Sequence, residues 1–144
     1  MKEHEKMDKK LRKTIARAGT EFDAEYYCFH HPFAIHDKYR AECDCRKPKP
    51  GLILRAADEN DIDLARSFFV GDSLVDVKAG RRAGCRTILV GQLTTFLSRM
   101  IEQEDASPDY IVPSFKDVPA LLLRLGSSEA STEASGQRAG RTNF

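Results

Sequence analysis

The sequence predicts an α/β domain with a mainly parallel β-sheet, and three observations lead to this fold class. Short apolar runs alternate with amphipathic segments in the second half of the chain, as they do in domains built on parallel sheets. Two of these runs, SFFVG at 67–71 and RTILV at 86–90, have the pattern of strands buried on both faces. The length of 144 residues leaves room for one domain and little more.

The first half of the chain contains one clear helix and one long loop. Residues 2–19 predict an amphipathic helix because apolar residues such as Met7 and Leu11 recur at spacings of three or four. The segment AEYYCF at 24–29 predicts a short strand. Residues 30–50 show no periodicity, so we expect a long ordered loop. Loops of this length are usually functional or held by something other than a core.

The second half alternates helices and strands. In chain order we expect a helix at 51–60, a strand at 67–71, a helix at 74–83, a strand at 86–90, a helix at 92–103, a strand at 109–112 and a helix at 117–125. Gly84 follows the second of these helices and suits its end. The composition shifts to small and polar residues near the C-terminus. We therefore expect a folded unit at 1–126 and a disordered tail at 127–144.

Composition and charge exclude several classes of protein. The chain has 23 Lys plus Arg against 22 Asp plus Glu, a formal net charge of +1, which argues against a nucleic-acid partner. A hydrophobic content of 41% with 31% charged residues fits a folded domain. No apolar run approaches the roughly 20 residues that span a bilayer. The N-terminus has no apolar stretch of a secretory signal, so we expect a cytoplasmic protein with no membrane partner.

Four residues around the loop have the spacing of a metal site. Cys28, His30, Cys43 and Cys45 form the pattern C-x-H…C-x-C, and thiolate and imidazole are the ligands of structural zinc. A zinc ion held by four protein ligands would pin together the ends of the loop at 28–45. It would keep no open coordination position, so we expect a structural and not a catalytic metal.

Other interpretations of these residues stay open. The cysteines could be reduced core residues, although Cys43 and Cys45 have charged neighbours in the sequence. A disulfide between residues two apart would be strained, and the expected compartment is reducing. His31 and His36 are alternative ligands. Cys85 precedes a predicted strand and is most simply a small buried apolar residue.

A basic segment precedes the helix predicted at 51–60. In RKPKPG, Arg46 and Lys47 lie just before the helix N-terminus, and cations together with a helix N-terminus form an anion site. The simpler alternative is an ordinary basic turn. Arg46 and Lys47 are therefore candidate ligands of an anion.

A carboxylate follows the first buried strand. Asp72 comes directly after the strand predicted at 67–71, and ligands of parallel sheets bind at the carboxyl ends of strands. Asp72 is therefore a candidate ligand for a hard cation such as magnesium, or else a plain helix N-cap. Asp76 lies four residues further on and shares its helix face, where it supports the site or is merely solvated.

Together these features resemble the haloacid dehalogenase (HAD) superfamily of phosphatases. The chain is similar in particular to the branch that holds the D-glycero-D-manno-heptose-1,7-bisphosphate 7-phosphatases and the histidinol-phosphate phosphatases. The segments that carry the resemblance are YYCFHHP, YRAECDCRKPKPGL, IDLARSFFVGDSLVDVKAGRRAG and PDYIV. The resemblance implies a partial Rossmann-like core with a mainly parallel sheet and a zinc loop, in which the first two strands of the family are missing.

The resemblance also implies roles for individual residues. Lys47 would stabilise charge on the attacking group and the phosphoryl group, and Arg46 would help to bind the substrate. Asp72 would coordinate magnesium, with Asp76 supporting the lysine or the metal. The implied zinc ligands are the four residues named above. The implied substrate is a small phosphorylated sugar or a related metabolite, hydrolysed through a phospho-aspartyl intermediate, by a protein that is monomeric if complete.

The sequence departs from the family at two places that matter for function. Ser73 stands where heptose bisphosphate phosphatases often carry lysine. The DxDGT motif that supplies the nucleophile and the general acid is absent, and neither Asp23 nor Asp37 follows an apolar strand. We therefore expect unpaired strand edges, with poor folding or no turnover for the chain alone. Histidinol-phosphate phosphatase and a non-catalytic zinc-bound module are the alternative functions.

Overall fold

The computed structural model describes residues 2–136 and shows an α/β architecture. The helices and strands in this range are α1 (Lys2–Arg17), α2 (Gly51–Asn60), β1 (Phe68–Gly71), α3 (Leu74–Ala83), β2 (Arg86–Val90), α4 (Thr95–Gln103), β3 (Tyr110–Val112) and α5 (Val118–Gly136). Short 3-10 helices occupy Asp37–Tyr39, Leu64–Arg66 and Phe115–Asp117. The alternation of strands and helices from β1 onward confirms the predicted fold class. In this range we find no helix with the length and apolar character of a membrane span.

The described strands form a parallel sheet in the order β1-β2-β3. Phe69 of β1 pairs with Thr87 of β2, and Ile88 of β2 pairs with Tyr110 of β3. All pairs are parallel, as the apolar strand patterns predict. Since β2 is the central strand, β1 pairs on one side only within residues 2–136. Its outer edge is open.

The hydrophobic core on one face of the sheet lies between β2, β3 and α5. Ile88, Val112, Val118 and Leu121 form its buried centre. The partly buried residues packed against this centre are Phe68, Val70, Val90, Tyr110, Leu122 and Leu125. Because side chains alternate along a strand, the intervening residues of β1 and β2 point to the other face.

Helix α3 covers that other face and lies very close to it. Val77 and Ala79 are buried there, and Gly80 touches the sheet. A Cβ atom on Gly80 would lie 2.8 Å from both Cβ of Phe69 and Cγ2 of Thr87. These distances are well below the usual carbon–carbon contact of about 3.5–4.0 Å. Glycine therefore sets how closely α3 can approach the strands, and α3 in turn carries the residues that follow β1.

Several element boundaries agree with the sequence patterns. The helices at 51–60 and 74–83 and the strand at 86–90 have the predicted limits. Gly84 ends α3 in the left-handed conformation with φ +88, which glycine adopts without strain. Helix α4 begins later than predicted, because the hydroxyl of Thr94 accepts a hydrogen bond from Leu97 N–H at 3.1 Å and caps the helix there.

Two strand predictions need correction. Residues 24–29 form no strand, because no neighbouring strand in the described part of the chain offers them a hydrogen-bonding partner. Strand β1 was expected to be buried on both faces, yet all four of its residues are only half-buried. The open outer edge of β1 leaves its side chains partly accessible to solvent.

The two ends of the chain also differ from the sequence prediction. Helix α1 forms, but Met7 and Leu11 of its apolar stripe are 71% and 48% exposed. Instead, Asp8 on the polar side accepts a hydrogen bond from the Tyr27 hydroxyl at 2.8 Å. Helix α5 continues to Gly136, past the tail boundary expected after residue 126, and residues 137–144 of that tail lie outside the described range.

Candidate functional site

The four predicted zinc ligands come together in the structure. The ligand atoms of Cys28, His30, Cys43 and Cys45 all lie within 4.8 Å of one another. The Sγ atom of Cys28 lies 3.7 Å from that of Cys43 and 3.1 Å from that of Cys45. The thiols of Cys43 and Cys45 are 3.0 Å apart, and Nδ1 of His30 lies 3.3 Å from Cys45 Sγ. The two ends of the loop thus meet at one cluster.

This donor set fits a tetrahedral zinc ion. Zn–S bonds of about 2.3 Å place two sulfur ligands about 3.8 Å apart in a tetrahedron. The observed sulfur–sulfur separations of 3.0–3.7 Å are near that value or somewhat shorter. The three cysteines are free thiols and half-buried. Four protein donors would fill the coordination sphere of an ion bound here.

Hydrogen bonding within the cluster favours a thiolate. The hydrogen bond between the two thiols lowers the pKa of Cys43 to about 7 and raises the pKa of Cys45 to about 12. The thiolate is the form that binds metals, so the lowered pKa of Cys43 favours metal binding at this cluster. This is the behaviour expected of a site in which one negative charge is shared by neighbouring sulfur atoms.

The alternative histidines are not members of this cluster within the described residues. Nδ1 of His31 accepts a hydrogen bond from Phe33 N–H at 3.1 Å. The His36 ring packs edge-on against Tyr39. Both side chains thus have contacts of their own along the loop.

A tight turn leads from the cysteine cluster into α2. The Gly51 N–H donates to the Asp44 carbonyl at 2.9 Å, and the Lys49 N–H donates to the Arg46 carbonyl at 3.0 Å. A Cβ atom on Gly51 would lie 2.7 Å from the carbonyl carbon of Asp44, so the close approach requires glycine. The Lys47–Pro48 peptide bond in this turn is cis. The turn places Arg46 and Lys47 beside the cluster.

Lys47 reaches from this turn to the carboxyl end of β1. Its ammonium forms an ion pair with Asp76 on α3. Asp76 is only 4% exposed, so it is a buried residue and not the solvated helix position that the sequence left open. A Cβ atom on Gly71, the last residue of β1, would overlap the Asp76 side chain. Asp76 therefore lies directly against the end of the strand.

Ser73 also binds Asp76, a contact that sequence reasoning missed. Its backbone N–H and its hydroxyl both donate to Oδ2 of Asp76, at 3.1 Å and 2.5 Å. Burial raises the pKa of Asp76, but the hydrogen bonds from Lys47 and Ser73 outweigh this effect and hold the pKa below its usual value. The signal in the sequence was the S-x-x-D spacing at the start of a helix, where serine and an acidic residue often bind each other.

Asp72 lies at the carboxyl end of β1 and faces solvent. Ser73, and not Asp72, is the N-cap residue of α3, so the N-cap interpretation of Asp72 is wrong. Among the side chains that the structure describes, those of residues 4–127, none forms a hydrogen bond or ion pair with the Asp72 carboxylate. Its oxygen atoms are the kind of ligand that magnesium prefers, and the residue is exposed.

Arg46 lies on the loop side of the site. Its Nη1 donates to the carbonyl of His30 at 3.2 Å, which ties the arginine to the cysteine cluster while its side chain remains exposed. The nearby Lys49 pairs with Asp44 at 3.1 Å in full solvent. The two side chains predicted to bind phosphate thus extend from one turn, and of the two Lys47 is paired with Asp76 of α3.

A large cleft opens between this turn, α2 and the outer edge of β1. Its volume is about 740 Å³, and most of its lining is apolar. The residues that line it include Tyr26, Tyr27, Leu52, Ile53, Ala56, Phe68, Phe69 and Cys85, with Arg46, Lys47 and Lys49 among its polar residues. Cys85 is 8% exposed, in agreement with the small buried residue expected from the sequence, and burial raises the pKa of its thiol.

Comparison with known proteins gives a consistent set of matches. The HAD-hydrolase-like family model matches residues 44–118. The D-glycero-beta-D-manno-heptose-1,7-bisphosphate 7-phosphatase of Vibrio cholerae is 43% identical over 111 residues, which cover 77% of this chain and 58% of that protein. The enzyme of the same name from Escherichia coli K12 is 36% identical over 77% of this chain and 56% of that protein.

A solved structure matches as well. It is the D,D-heptose 1,7-bisphosphate phosphatase from B. bronchiseptica, complexed with magnesium and phosphate, with a TM-score of 0.65 and 31% identity. The match covers 83% of this chain and 63% of that chain. The present chain therefore spans somewhat more than half the length of the curated relatives that it matches.

Proposed function

Because this chain belongs to the HAD-hydrolase-like family, we propose that it provides the metal- and phosphate-binding part of a magnesium-dependent phosphatase. The proposed substrate is a sugar bisphosphate of the D-glycero-D-manno-heptose 1,7-bisphosphate type. The names of the similar proteins from Vibrio cholerae and Escherichia coli support this choice. The magnesium and phosphate bound to the similar B. bronchiseptica enzyme support the chemistry.

The observation that carries the proposal is the arrangement at the carboxyl end of β1. A cation, Lys47, is held there by buried Asp76, and a carboxylate without a protein partner in the described range, Asp72, follows the same strand. Phosphoryl transfer is stabilised by cationic side chains and a metal ion around the phosphoryl oxygens, and this is the end of a parallel sheet where ligands bind. Magnesium held by Asp72 would neutralise charge on the phosphoryl oxygens.

The other residues of the turn have complementary roles in this proposal. An ammonium group has three N–H donors, and Lys47 uses one of them on Asp76, so two remain for phosphoryl oxygens. Arg46 presents an exposed guanidinium on the loop side and would bind a more distant part of the substrate. No DxDGT motif is found in the 144 residues. We therefore assign neither the attacking aspartate nor the general acid to a residue of this chain.

We propose further that zinc binds Cys28, His30, Cys43 and Cys45 and has a structural role. The support is the chemistry of the donor set and the close approach of the four ligand atoms. The zinc ion would join the two ends of the loop and so fix the turn that bears Arg46 and Lys47. No step of the phosphate chemistry depends on this metal.

The proposal is tested by measuring phosphate binding with and without magnesium. Isothermal titration of the chain with inorganic phosphate should show binding that tightens when magnesium is present. The variant Asp72→Asn should lose the magnesium effect without loss of structure, because the carboxylate has no protein partner in the described range. Asp58→Asn, an exposed aspartate on α2, is the matched control. Equal magnesium dependence in both variants would refute the role of Asp72.

Turnover provides a separate test. The chain should release no phosphate from D-glycero-D-manno-heptose 1,7-bisphosphate in the presence of magnesium, although it binds phosphate. Robust turnover would contradict our view that the nucleophile is lacking. The absence of the DxDGT motif also favours the alternative of a non-catalytic zinc-bound module, which would bind zinc but show no magnesium-dependent phosphate binding.

Ser73 bears on which substrate the site would take. This residue differs from the lysine that the heptose enzymes often carry, so the alternative of a histidinol-phosphate phosphatase remains a candidate function. Competition between histidinol phosphate and the heptose bisphosphate for the same site would separate the two. The cytoplasmic location and the monomeric state predicted from the sequence remain predictions.

A further inference from the structure

We propose that Ser73 is a positioning residue that fixes the phosphate-binding ammonium of Lys47 through the carboxylate of Asp76. This inference rests on the proposed phosphate-binding function of Lys47. The Ser73 hydroxyl would position Lys47 through Asp76 without itself contacting Lys47.

The two oxygen atoms of Asp76 have different partners. Oδ2 accepts hydrogen bonds from the backbone N–H and the hydroxyl of Ser73, at 3.1 Å and 2.5 Å. Oδ1 accepts from the ammonium of Lys47. Because a carboxylate is planar, holding one oxygen atom on two donors fixes the direction in which the other oxygen points. The position of Oδ1, and with it that of the ammonium, follows from Ser73.

The surroundings of Asp76 also restrict movement of its side chain. The residue is 4% exposed, and Gly71 lies so close that a Cβ atom there would overlap it. Asp76 is thus enclosed by the end of β1 on one side and by Ser73 on the other. Lys47 is 52% exposed in its side chain, so its outward side remains accessible to an anion while its inward side is held.

Lys49 provides a comparison, because its ion pair lacks the buried carboxylate and the hydroxyl group that hold Lys47. Lys49 also forms an ion pair, with Asp44 at 3.1 Å, but the Asp44 side chain is 92% exposed. No hydroxyl group fixes that carboxylate in the described residues. Exposed pairs of this kind hold their partners weakly. Of the two lysines in the turn, only Lys47 is therefore held in a defined place, and Lys49 serves as an internal reference.

The experiment measures the reactivity of individual lysines in the full chain. Wild type, Ser73→Ala, Ser73→Gly and Ser73→Thr are acetylated under limiting reagent, and the rates at Lys47 and Lys49 are read by mass spectrometry. The matched control is Thr94→Ala, which removes the N-cap hydroxyl of α4 and leaves Asp76 untouched. Circular dichroism establishes that each variant is folded.

Loss of the hydroxyl should accelerate acetylation of Lys47 about threefold or more, since a hydrogen bond to a charged group is lost. The rate at Lys49 should not change, and Ser73→Thr should restore the wild-type rate because it keeps the hydroxyl. Affinity for inorganic phosphate should fall about fivefold in Ser73→Ala and Ser73→Gly for the same reason.

Each opposite result has a definite meaning. The inference is wrong if Lys47 reacts equally in wild type and both hydroxyl-free variants, if Ser73→Thr behaves like Ser73→Ala, or if Thr94→Ala accelerates Lys47 as well. If wild type binds no phosphate, the proposed function fails, while the lysine rates still decide whether Ser73 positions Lys47.

Discussion

The close contact of α3 with the sheet predicts that Gly80→Ala destabilises the chain. The new Cβ atom would lie 2.8 Å from Cβ of Phe69 and from Cγ2 of Thr87, and 3.0 Å from Cδ1 of Phe69. Thr87 is fully buried, and the Phe69 Cβ atom is fixed to the strand, so neither can move away alone. Overpacking of this kind costs up to about 3 kcal/mol.

A gain in helix propensity opposes this cost. Alanine is better than glycine in a helix interior by about 1 kcal/mol, so the net loss in the free energy of unfolding should be up to about 2 kcal/mol. Gly126→Ala in α5 is the matched control, because its would-be Cβ has no contact within 4 Å beyond its chain neighbours and the nearby backbone of its own helix. That variant should be stabilised by up to about 1 kcal/mol.

The assay is urea unfolding followed by circular dichroism, with the slope compared among wild type and both variants. Gly80→Ala should unfold at lower urea than wild type, and Gly126→Ala at higher urea. If Gly80→Ala equals or exceeds wild type in stability at an unchanged slope, the helix does not lie as close to the strands as these distances require, and the reasoning is refuted.

Three further predictions concern the site and the sheet. The pKa of Asp76 is lowered in the folded chain, so its contribution to stability is present above the unfolded value of about 3.9 and is lost as the pH falls below it. This titration spans roughly pH 5 to pH 3. Over that range the urea midpoint of Asp76→Asn should fall less steeply with decreasing pH than that of wild type. An equal decline in both would contradict the lowered pKa of Asp76. Elemental analysis of the pure reduced chain should find bound zinc, and the Cys45→Ser variant should contain less of it. A zinc content below about half an equivalent in wild type would count against the four-ligand site. The open outer edge of β1 should make the chain associate with itself as its concentration rises, which sedimentation velocity would detect, whereas a single monomer species at every concentration would show that the edge is protected.

The parts of the fold that local pattern determines could be predicted from the sequence. Helix α3 has an apolar face within one segment and Gly84 at its end, so its limits needed no knowledge of other elements. Strand prediction at 24–29 was wrong because a strand exists only with a hydrogen-bonded neighbour, and aromatic composition does not supply one. Helix α1 was predicted from its periodicity, but the contacts of its polar side with Tyr27 and Glu25 depend on another segment of the chain and were not predicted.

In the site, too, local features could be predicted from the sequence and contacts between distant segments could not. The convergence of Cys28, His30, Cys43 and Cys45 was predictable because two close pairs at the ends of one loop need only the loop to close. The burial of Asp76 was not predictable, since it depends on the turn that carries Lys47, 29 residues away. The contact of Ser73 with Asp76 is local, and the S-x-x-D spacing was its signal, but the sequence did not show that the same carboxylate also binds Lys47.

The enclosure of Asp76 has a consequence for how sequences of this kind can change. A substitution that removes the Lys47 ammonium leaves a buried carboxylate without its counter-charge, and breaking a buried pair from one side costs up to about 3–5 kcal/mol. The partly exposed lysine side chain reduces that penalty without abolishing it. Positions 47 and 76 should therefore covary among related chains, with an apolar residue at 47 accompanied by an uncharged residue at 76. A chain in which only one of the two has changed would be expected to be less stable than a chain with both or neither changed.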